Sequence, residues 1–279
     1  MHTILGVKHS KNIPDSAWRI VQANPFDYIS EEELDEFVGR AVRRIEKAQK
    51  DIGPRLFVGW SGGKDSQVLY HLALAQLGIR DGFIIVVEPT FEFTTFVDFL
   101  AKHTPPGVIR TDRGLSWDWL RKNPTAFWPG RVGREKSFSK DSTTGMSMNW
   151  RAQRLFFKKY NLDAVLLGRR TIDGNHVGNG EGFNRSKDGY TVVNPIYDWP
   201  HEAVFAYMAK HDLKLPAFYA IEGGFKLGGV AWPLASREDT MRLEPSILTK
   251  YSAQIEEILS LSPERRSKIV GSGRGLTPK

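Results

Sequence analysis

Apolar positions along this chain follow two patterns, and each predicts a different kind of element. Leu34, Phe37, Val38, Ala41, Val42 and Ile45 recur at helical spacing over 31–50, which predicts an amphipathic helix with its charged face in water. Ser30 and Glu33 stand just before it at the S-x-x-E spacing of a capping box. Leu56-Phe57-Val58 is a short apolar run of the buried-strand type, followed by Ser61-Gly62-Gly63 and then by Val68, Leu69, Leu72, Ala73 and Leu77 at helical spacing. This is a strand, a turn and a helix that starts near Asp65 or Ser66, and Gly78 suits its C-terminal stop.

The alternation continues downstream. The run 83–87 predicts a second buried strand, 92–103 a helix, and 108–110 a third strand. A helix over about 148–160 and a strand at 164–167 follow, then a strand at 191–193, a helix at about 200–211 and a C-terminal helix at about 245–261. Strands alternating with helices through short links imply a parallel sheet with right-handed crossovers. Residues 1–29, with Pro14 and Pro25, read as an irregular lead-in. Two stretches break the alternation. Residues 111–147 form a long, tryptophan-containing excursion, and 173–188 form a glycine-rich polar segment; both are expected to order when a ligand binds. The organisation expected is a lead-in and helix at 1–50, a nucleotide-binding domain at 51–236, and a C-terminal helix with a loose basic tail at 237–279. No internal repeat and no clear second domain stand out.

Composition narrows the function classes. The 279 residues are 41% hydrophobic and 11% aromatic, as in a globular chain. No apolar run reaches the length of a membrane span, and the first residues lack the apolar core of a signal peptide, so a cytoplasmic location is expected. There is no cysteine, which excludes a thiol nucleophile, disulfides and cysteine-held metal centres within this chain. Net charge is +7, yet Arg121 to Tyr160 alone carry ten Lys and Arg against two acids. That stretch, with its interleaved tryptophans, keeps nucleic acid in view as a partner, beside the plainer reading of a solvated basic face.

The chemistry concentrates in Ser61-Gly-Gly-Lys-Asp-Ser66. Glycines let a backbone turn approach a ligand closely, and the N–H groups at a helix start favour anions. The string is not a Walker A loop. Asp65 follows Lys64 where Ser or Thr is needed, and Val58 occupies the place of the first glycine. In its strand–turn–helix setting it resembles instead the PP-loop of ATP pyrophosphatases. Three further blocks follow in matching order: VVEPTFEF after the second strand, LLGRRTIDGN, and NPIYDWPHEAVFAYMAKHDLKLPAFY. Together they resemble the phosphoadenosine-phosphosulfate (PAPS) reductase and ATP sulfurylase small-subunit family, over roughly two thirds of the chain.

The resemblance implies an α/β, parallel-sheet, Rossmann-like adenine nucleotide alpha-hydrolase (PP-loop) fold with helices on both faces. It also implies cleavage of ATP between the α and β phosphates. On that reading Ser61, Gly62, Gly63, Lys64, Asp65, Ser66, Val87, Glu88 and Gly168 bind nucleotide. Lys64, Asp65, Arg169 and Arg170 are catalytic, with the two arginines clamping an anion, and Asp65 holds Mg²⁺. The alternatives stay in view. Asp65 could serve only the helix start, Glu88 and Glu92 only a neighbouring helix, and the arginines only as surface charge. His71, Trp199 and Trp232 read as packing residues, and His176 as a weak general-base candidate.

Two departures from the family matter. Its usual Asp-Thr-Gly is Glu88-Pro89-Thr90, and the segment Gly228–Ala235 keeps Trp232-Pro233 without the reductases' cysteines. Thiol-dependent PAPS reduction is therefore not expected of this chain. An adenylyl acceptor is left open among sulfate, a carboxylate and a nucleic-acid group, with a separate partner subunit for a sulfurylase-like reaction. A nucleotide-binding regulator without catalysis is the non-enzymatic alternative.

Overall fold

The computed structural model describes residue 5 and residues 12–128, 140–178, 180–185, 190–227 and 230–261, with side chains in the helix at 140–160 described from Met148 onward. Six strands form one sheet: β1 (Leu56–Gly59), β2 (Gly82–Val86), β3 (Val108–Asp112), β4 (Ala164–Leu166), β5 (Phe183–Arg185) and β6 (Thr191–Val193). Their order is β3-β2-β1-β4-β6-β5. β1 runs parallel to β2 and β4, and β4 parallel to β6, while β5 joins the edge antiparallel to β6. The expected parallel α/β sheet is therefore present, with one antiparallel edge strand drawn from the glycine-rich stretch 173–188.

The helices are α1 (Asp15–Ala23), α2 (Glu31–Asp51), α3 (Lys64–Leu77), α4 (Thr94–His103), α5 (Trp117–Lys122), α6 (Lys140–Tyr160), α7 (His201–Lys210), α8 (Arg237–Leu243), α9 (Ser246–Lys250) and α10 (Ser252–Ser260). α2 begins as expected. Glu33 N–H donates to Ser30 Oγ at 3.1 Å, and Ser30 N–H donates to the Glu33 carboxylate at 3.0 Å. α3 ends on Gly78 at φ +65°, a left-handed position that glycine takes without a steric penalty. Phe57 on β1 meets Phe156 and Tyr160 of α6. Its neighbours Leu56 and Val58, both buried, point to the opposite face of the sheet.

Several expectations need correction. The lead-in is not wholly irregular: α1 lies within it, and Trp18 and Val21 bury against Leu5, Ile13 and Phe205. Pro14 at the helix N-cap and Pro25 just past its end bound a nine-residue amphipathic turn of helix that prolines at both ends make easy to miss. The excursion 111–147 contains α5 and a short 3-10 turn at Pro124–Ala126. The expected C-terminal helix is two helices, α9 and α10, preceded by α8, with Pro245 at the α9 N-cap. The tail 262–279 and residues 129–139 lie outside the described residues.

By compactness the chain forms two units. The first comprises Met1–Ile84, Phe99–Thr111 and Arg154–Lys226; the second comprises Ile85–Asp98, Asp112–Gln153 and Leu227–Lys279. The second unit has its own core of rings, in which Trp232 packs with Phe91, Trp117, Phe127, Trp128 and Tyr251. Its indole N–H donates to the Thr90 carbonyl at 2.8 Å. Trp199, in the first unit, is equally buried, so both tryptophans are packing residues. Among the described residues no helix is long and apolar enough to cross a membrane.

The capping box gives a direct test. Ser30→Ala leaves the first-turn N–H groups of α2 without their acceptor and is expected to cost about 1 kcal/mol, whereas Ser30→Asp restores the acceptor. A thermal melt checks this, and equal melting of the Ala variant and wild type would contradict it.

Candidate active site

The strand order places the turn after β1 and the turn after β4 side by side. The chain leaves β1 toward β2 and β3, then returns across β1 to build β4 and β6. Such a reversal opens a crevice at the carboxyl ends of the two diverging strands, where α/β sheets bind ligands. Ser61–Asp65 follows β1 and Gly168–Arg170 follows β4, so the sheet itself brings these two sequence blocks together.

The turn is tightly tied. Ser61 N–H donates to Ser66 Oγ at 2.9 Å, the two serine hydroxyls lie 3.0 Å apart, and Ser66 Oγ donates to the Gly63 carbonyl at 2.9 Å. Gln67 donates its side-chain amide to the Gly62 carbonyl at 2.9 Å. Gly62 sits at φ +71°, so the turn needs glycine there. Gly63 is the N-cap of α3 and brings no side chain to cap it. The first N–H groups of the helix have no intrahelical acceptor. Gly168 must also be glycine: a Cβ there would stand 2.9 Å from the backbone carbonyl carbon and oxygen of Asp65. The β4 turn is thus pressed against the start of α3.

Beneath the turn lies a buried group of charges. Arg170 has no exposed surface. Its Nε is 2.8 Å from Asp65 Oδ1, a Coulombic contact not aligned as a hydrogen bond. The other guanidinium nitrogens donate to Asp173 at 2.9 Å, to the Trp199 carbonyl at 3.2 Å and to His201 Nδ1 at 3.0 Å. A guanidinium only donates, so Nδ1 of His201 accepts, which in the neutral ring leaves the proton on Nε2. Lys64 Nζ donates to Asp65 Oδ2 at 2.7 Å and lies 6.0 Å from the Trp18 ring.

Burial, and then the Arg170 charge, pull the Lys64 ammonium below its ordinary pKa, and Asp65 opposes them. For Asp65, burial alone would raise the carboxyl, but Arg170 and Lys64 together outweigh it and hold it low. Lys64, Asp65, Arg170 and Asp173 make two cations and two carboxylates, so the cluster is balanced before any ligand arrives.

This geometry redistributes the expected roles. Arg170 was expected to clamp an anion; it is instead enclosed and committed to protein partners. Arg169 is half-buried, its pKa is lowered by burial, and its electrostatic neighbour is Tyr190. It does not share in the contacts of Lys64 and Asp65. Asp65 was expected to hold Mg²⁺, but both its oxygens face cations, so the residues present do not fit it as a direct metal ligand. Among the described residues no group of three or more His, Cys, Asp or Glu is placed to hold a metal. His71 packs as expected, its Nδ1 3.0 Å from Tyr207 Oη. His176 is exposed.

Val87 and Glu88 belong to the second unit. Glu88 is exposed and accepts from Thr90 Oγ1 at 2.6 Å, while Val87 N–H donates to Glu92 at 3.1 Å. Glu92 is buried, and burial raises its carboxyl to about 7 against the pull of that N–H and of Arg113. Sequence reasoning singled out none of Trp18, Asp173, His201 and Tyr219 as a site residue, although the last three lie in the blocks that carry the resemblance and Tyr219 closes the Leu215-Pro216-x-x-Tyr segment.

The profile of the phosphoadenosine phosphosulfate reductase domain matches residues 55–233, which spans both turns and the strands that carry them. The chain belongs to this family. It is therefore a member of the ATP-using PP-loop, adenine nucleotide alpha-hydrolase-like superfamily, without cysteine in this sequence. No curated protein sequence matches the chain. Similar solved structures include a PAPS reductase from Candida auris in a phosphate complex, at 16% identity and TM-score 0.47, covering 72% of this chain and 95% of that one. The U34-tRNA thiolase NcsA from Methanococcus maripaludis, with its 4Fe-4S cluster, is 15% identical at TM-score 0.41, covering 81% and 80% respectively. The NMN synthetase from Francisella tularensis is 14% identical at TM-score 0.45, covering 88% and 98%.

Two predictions follow from the buried groups of this family member. Arg170→Met removes a cation from between Asp65 and Asp173 and is expected to lower stability by about 3–5 kcal/mol in urea denaturation. Arg170→Lys should recover only part, because one ammonium cannot replace a planar fork. A Met variant as stable as wild type would show that the cluster does not anchor the fold. Glu92 carries the opposite kind of test. Between its ordinary value and about 7 the folded state keeps a proton that the unfolded chain has lost. Stability therefore falls as pH rises through that window, by at most about 3 kcal/mol. Glu92→Gln still offers a carbonyl to Val87, so its stability relative to wild type should rise from pH 5 to pH 8; a pH-independent difference would contradict the assignment.

Proposed function

We propose that this protein is an enzyme that cleaves ATP between the α and β phosphates, releasing pyrophosphate and passing AMP to an acceptor. The observation that carries this reading is the Ser61–Ser66 turn: a glycine-bent, serine-pinned helix start at the crevice between β1 and β4. Substrate phosphate oxygens would take the N–H groups of Gly62 to Asp65, with Ser61 and Ser66 holding the turn's shape. Lys64 would turn from Asp65 toward the phosphates as their charge arrives. Gly168 would keep the β4 turn close. Arg169 would supply a cation for the acceptor or the leaving pyrophosphate, with Arg170 holding the turn from below. Magnesium enters this reading with the substrate, as MgATP, and not as an ion held on Asp65. Fixed dipoles aimed at the charge developing on the transferred group would be the main source of rate.

Reduction of PAPS by a thiolate is not part of this reading, because the chain supplies no cysteine. For the acceptor, an oxyanion such as sulfate or a carboxylate and a nucleic-acid group are both compatible with the site. The nucleic-acid version draws on α6, where Trp150, Arg151, Leu155, Lys158 and Lys159 are exposed. Part of the basic 121–160 charge is already spent, since Arg121 pairs with Asp118 and Glu257 at 2.7 Å. A sulfurylase-like reaction would need a separate partner subunit.

Incubation with MgATP and separation of the products tests the reading. AMP and pyrophosphate are expected. ADP and orthophosphate would overturn α–β cleavage, and ATP bound tightly but unchanged with every acceptor class would favour a nucleotide-binding regulator.

A further inference from the structure

We propose that the Tyr219 hydroxyl is an additional phosphate-binding donor of the Ser61–Ser66 turn, supplied by the segment that follows α7. The inference rests on the ATP reading above and adds to it a residue outside the turn and outside the helix that the turn begins.

Tyr219 lies on a single 3-10 turn, Ala217–Ala220, directly after Pro216. Its ring is held on both sides, stacked on Phe218 at 4.6 Å and tilted against Phe225 at 5.0 Å. Phe225 in turn stacks on Trp18 at 4.8 Å. The ring therefore has little freedom, and its hydroxyl is delivered to one place. That place is the mouth of the turn: the oxygen stands 3.4 Å from where a Cβ on Gly63 would be. The Lys64 backbone amide is close enough to the same oxygen to favour its ionised form.

A phenol with an amide beside its oxygen still has its own hydrogen to give. Among the described residues no protein acceptor takes it. Burial, with Asp65 and Asp173 nearby, keeps the phenol protonated at neutral pH, so the hydrogen is always present. The missing side chain at Gly63 leaves the space beside that hydrogen open. A phosphate oxygen seated there would receive an O–H in line with the neighbouring amides. Such a neutral donor matters because the buried charges already balance one another. Lys64 is engaged with Asp65 and Arg170 is enclosed, so the first contacts to an incoming phosphate fall to amides and hydroxyls.

Calorimetric titration of wild type and Tyr219→Phe with MgATP, inorganic pyrophosphate and adenosine tests this. The substitution keeps the ring and its stacking, and a melt matching wild type checks that the fold is intact. Loss of one hydrogen bond to a charged group predicts about tenfold or greater weakening for MgATP and pyrophosphate. Adenosine, which has no phosphate, should bind both proteins alike. Equal MgATP affinity in the two proteins would overturn the assignment. Equal weakening for adenosine would also overturn it, by marking Tyr219 as a support of the pocket in general. Wild type that binds none of the three would remove the ATP reading and this inference with it.

Discussion

The site depends on a buried arginine that never reaches the crevice. Arg170 holds four segments at once: the start of α3 through Asp65, the short turn after β4 through Asp173, the approach to α7 through the carbonyl of Trp199, two residues before it, and the first residue of α7 through His201. Each contact alone is ordinary. Together they fix how the turns after β1 and β4 meet. Buried ion pairs add little net stability, because desolvation offsets most of the attraction, and their better-attested use is to specify one arrangement. Here the arrangement specified is the shape of the Ser61–Ser66 turn.

A balanced cluster changes how an anion is recognised. Two cations and two carboxylates leave no excess positive charge under the turn, so a polyphosphate is not drawn in by the cluster as a whole. On the proposed reading, recognition would fall to groups fixed in direction: backbone amides at the α3 start, serine hydroxyls and the Tyr219 phenol. Lys64 is the exception. Burial lowers its pKa and Asp65 restrains it, so on that reading a phosphate would compete with a carboxylate for a cation already partly desolvated. This allows the charge to shift with little reorganisation as the ligand arrives, which is the condition under which preorganised electrostatics assist a reaction.

Much of this was legible in the sequence, and the reasons are specific. The strand–turn–helix at 56–78 announced itself because Leu56–Val58, the glycines and the apolar period of α3 are all local signals. So did α2, through Ser30 and Glu33. Gly168 was legible as part of a block, though the reason it must be glycine, the Asp65 backbone against it, is a contact between residues far apart in sequence. Arg170 could be found but not interpreted. Nothing local separates the fully enclosed Arg170 from its half-buried neighbour Arg169. That depends on His201 and Asp65, which the sheet order alone brings to it. The same holds for Trp18, whose place comes from long-range packing, while Tyr219 lay in a block that carries the resemblance but gave no local sign of what it meets. α1 and β5 were missed for a different reason: one is short and bounded by prolines, the other is a three-residue edge strand in a glycine-rich stretch.

The account stands on the claim that the phosphates of ATP seat on the Ser61–Ser66 turn. Hydrogen–deuterium exchange with and without saturating MgATP measures this at the amides themselves. Slowed exchange across residues 61–66, with the body of α3 unchanged, is the result predicted. Saturable MgATP binding that leaves the amides of 61–66 exchanging at their free rate would contradict it.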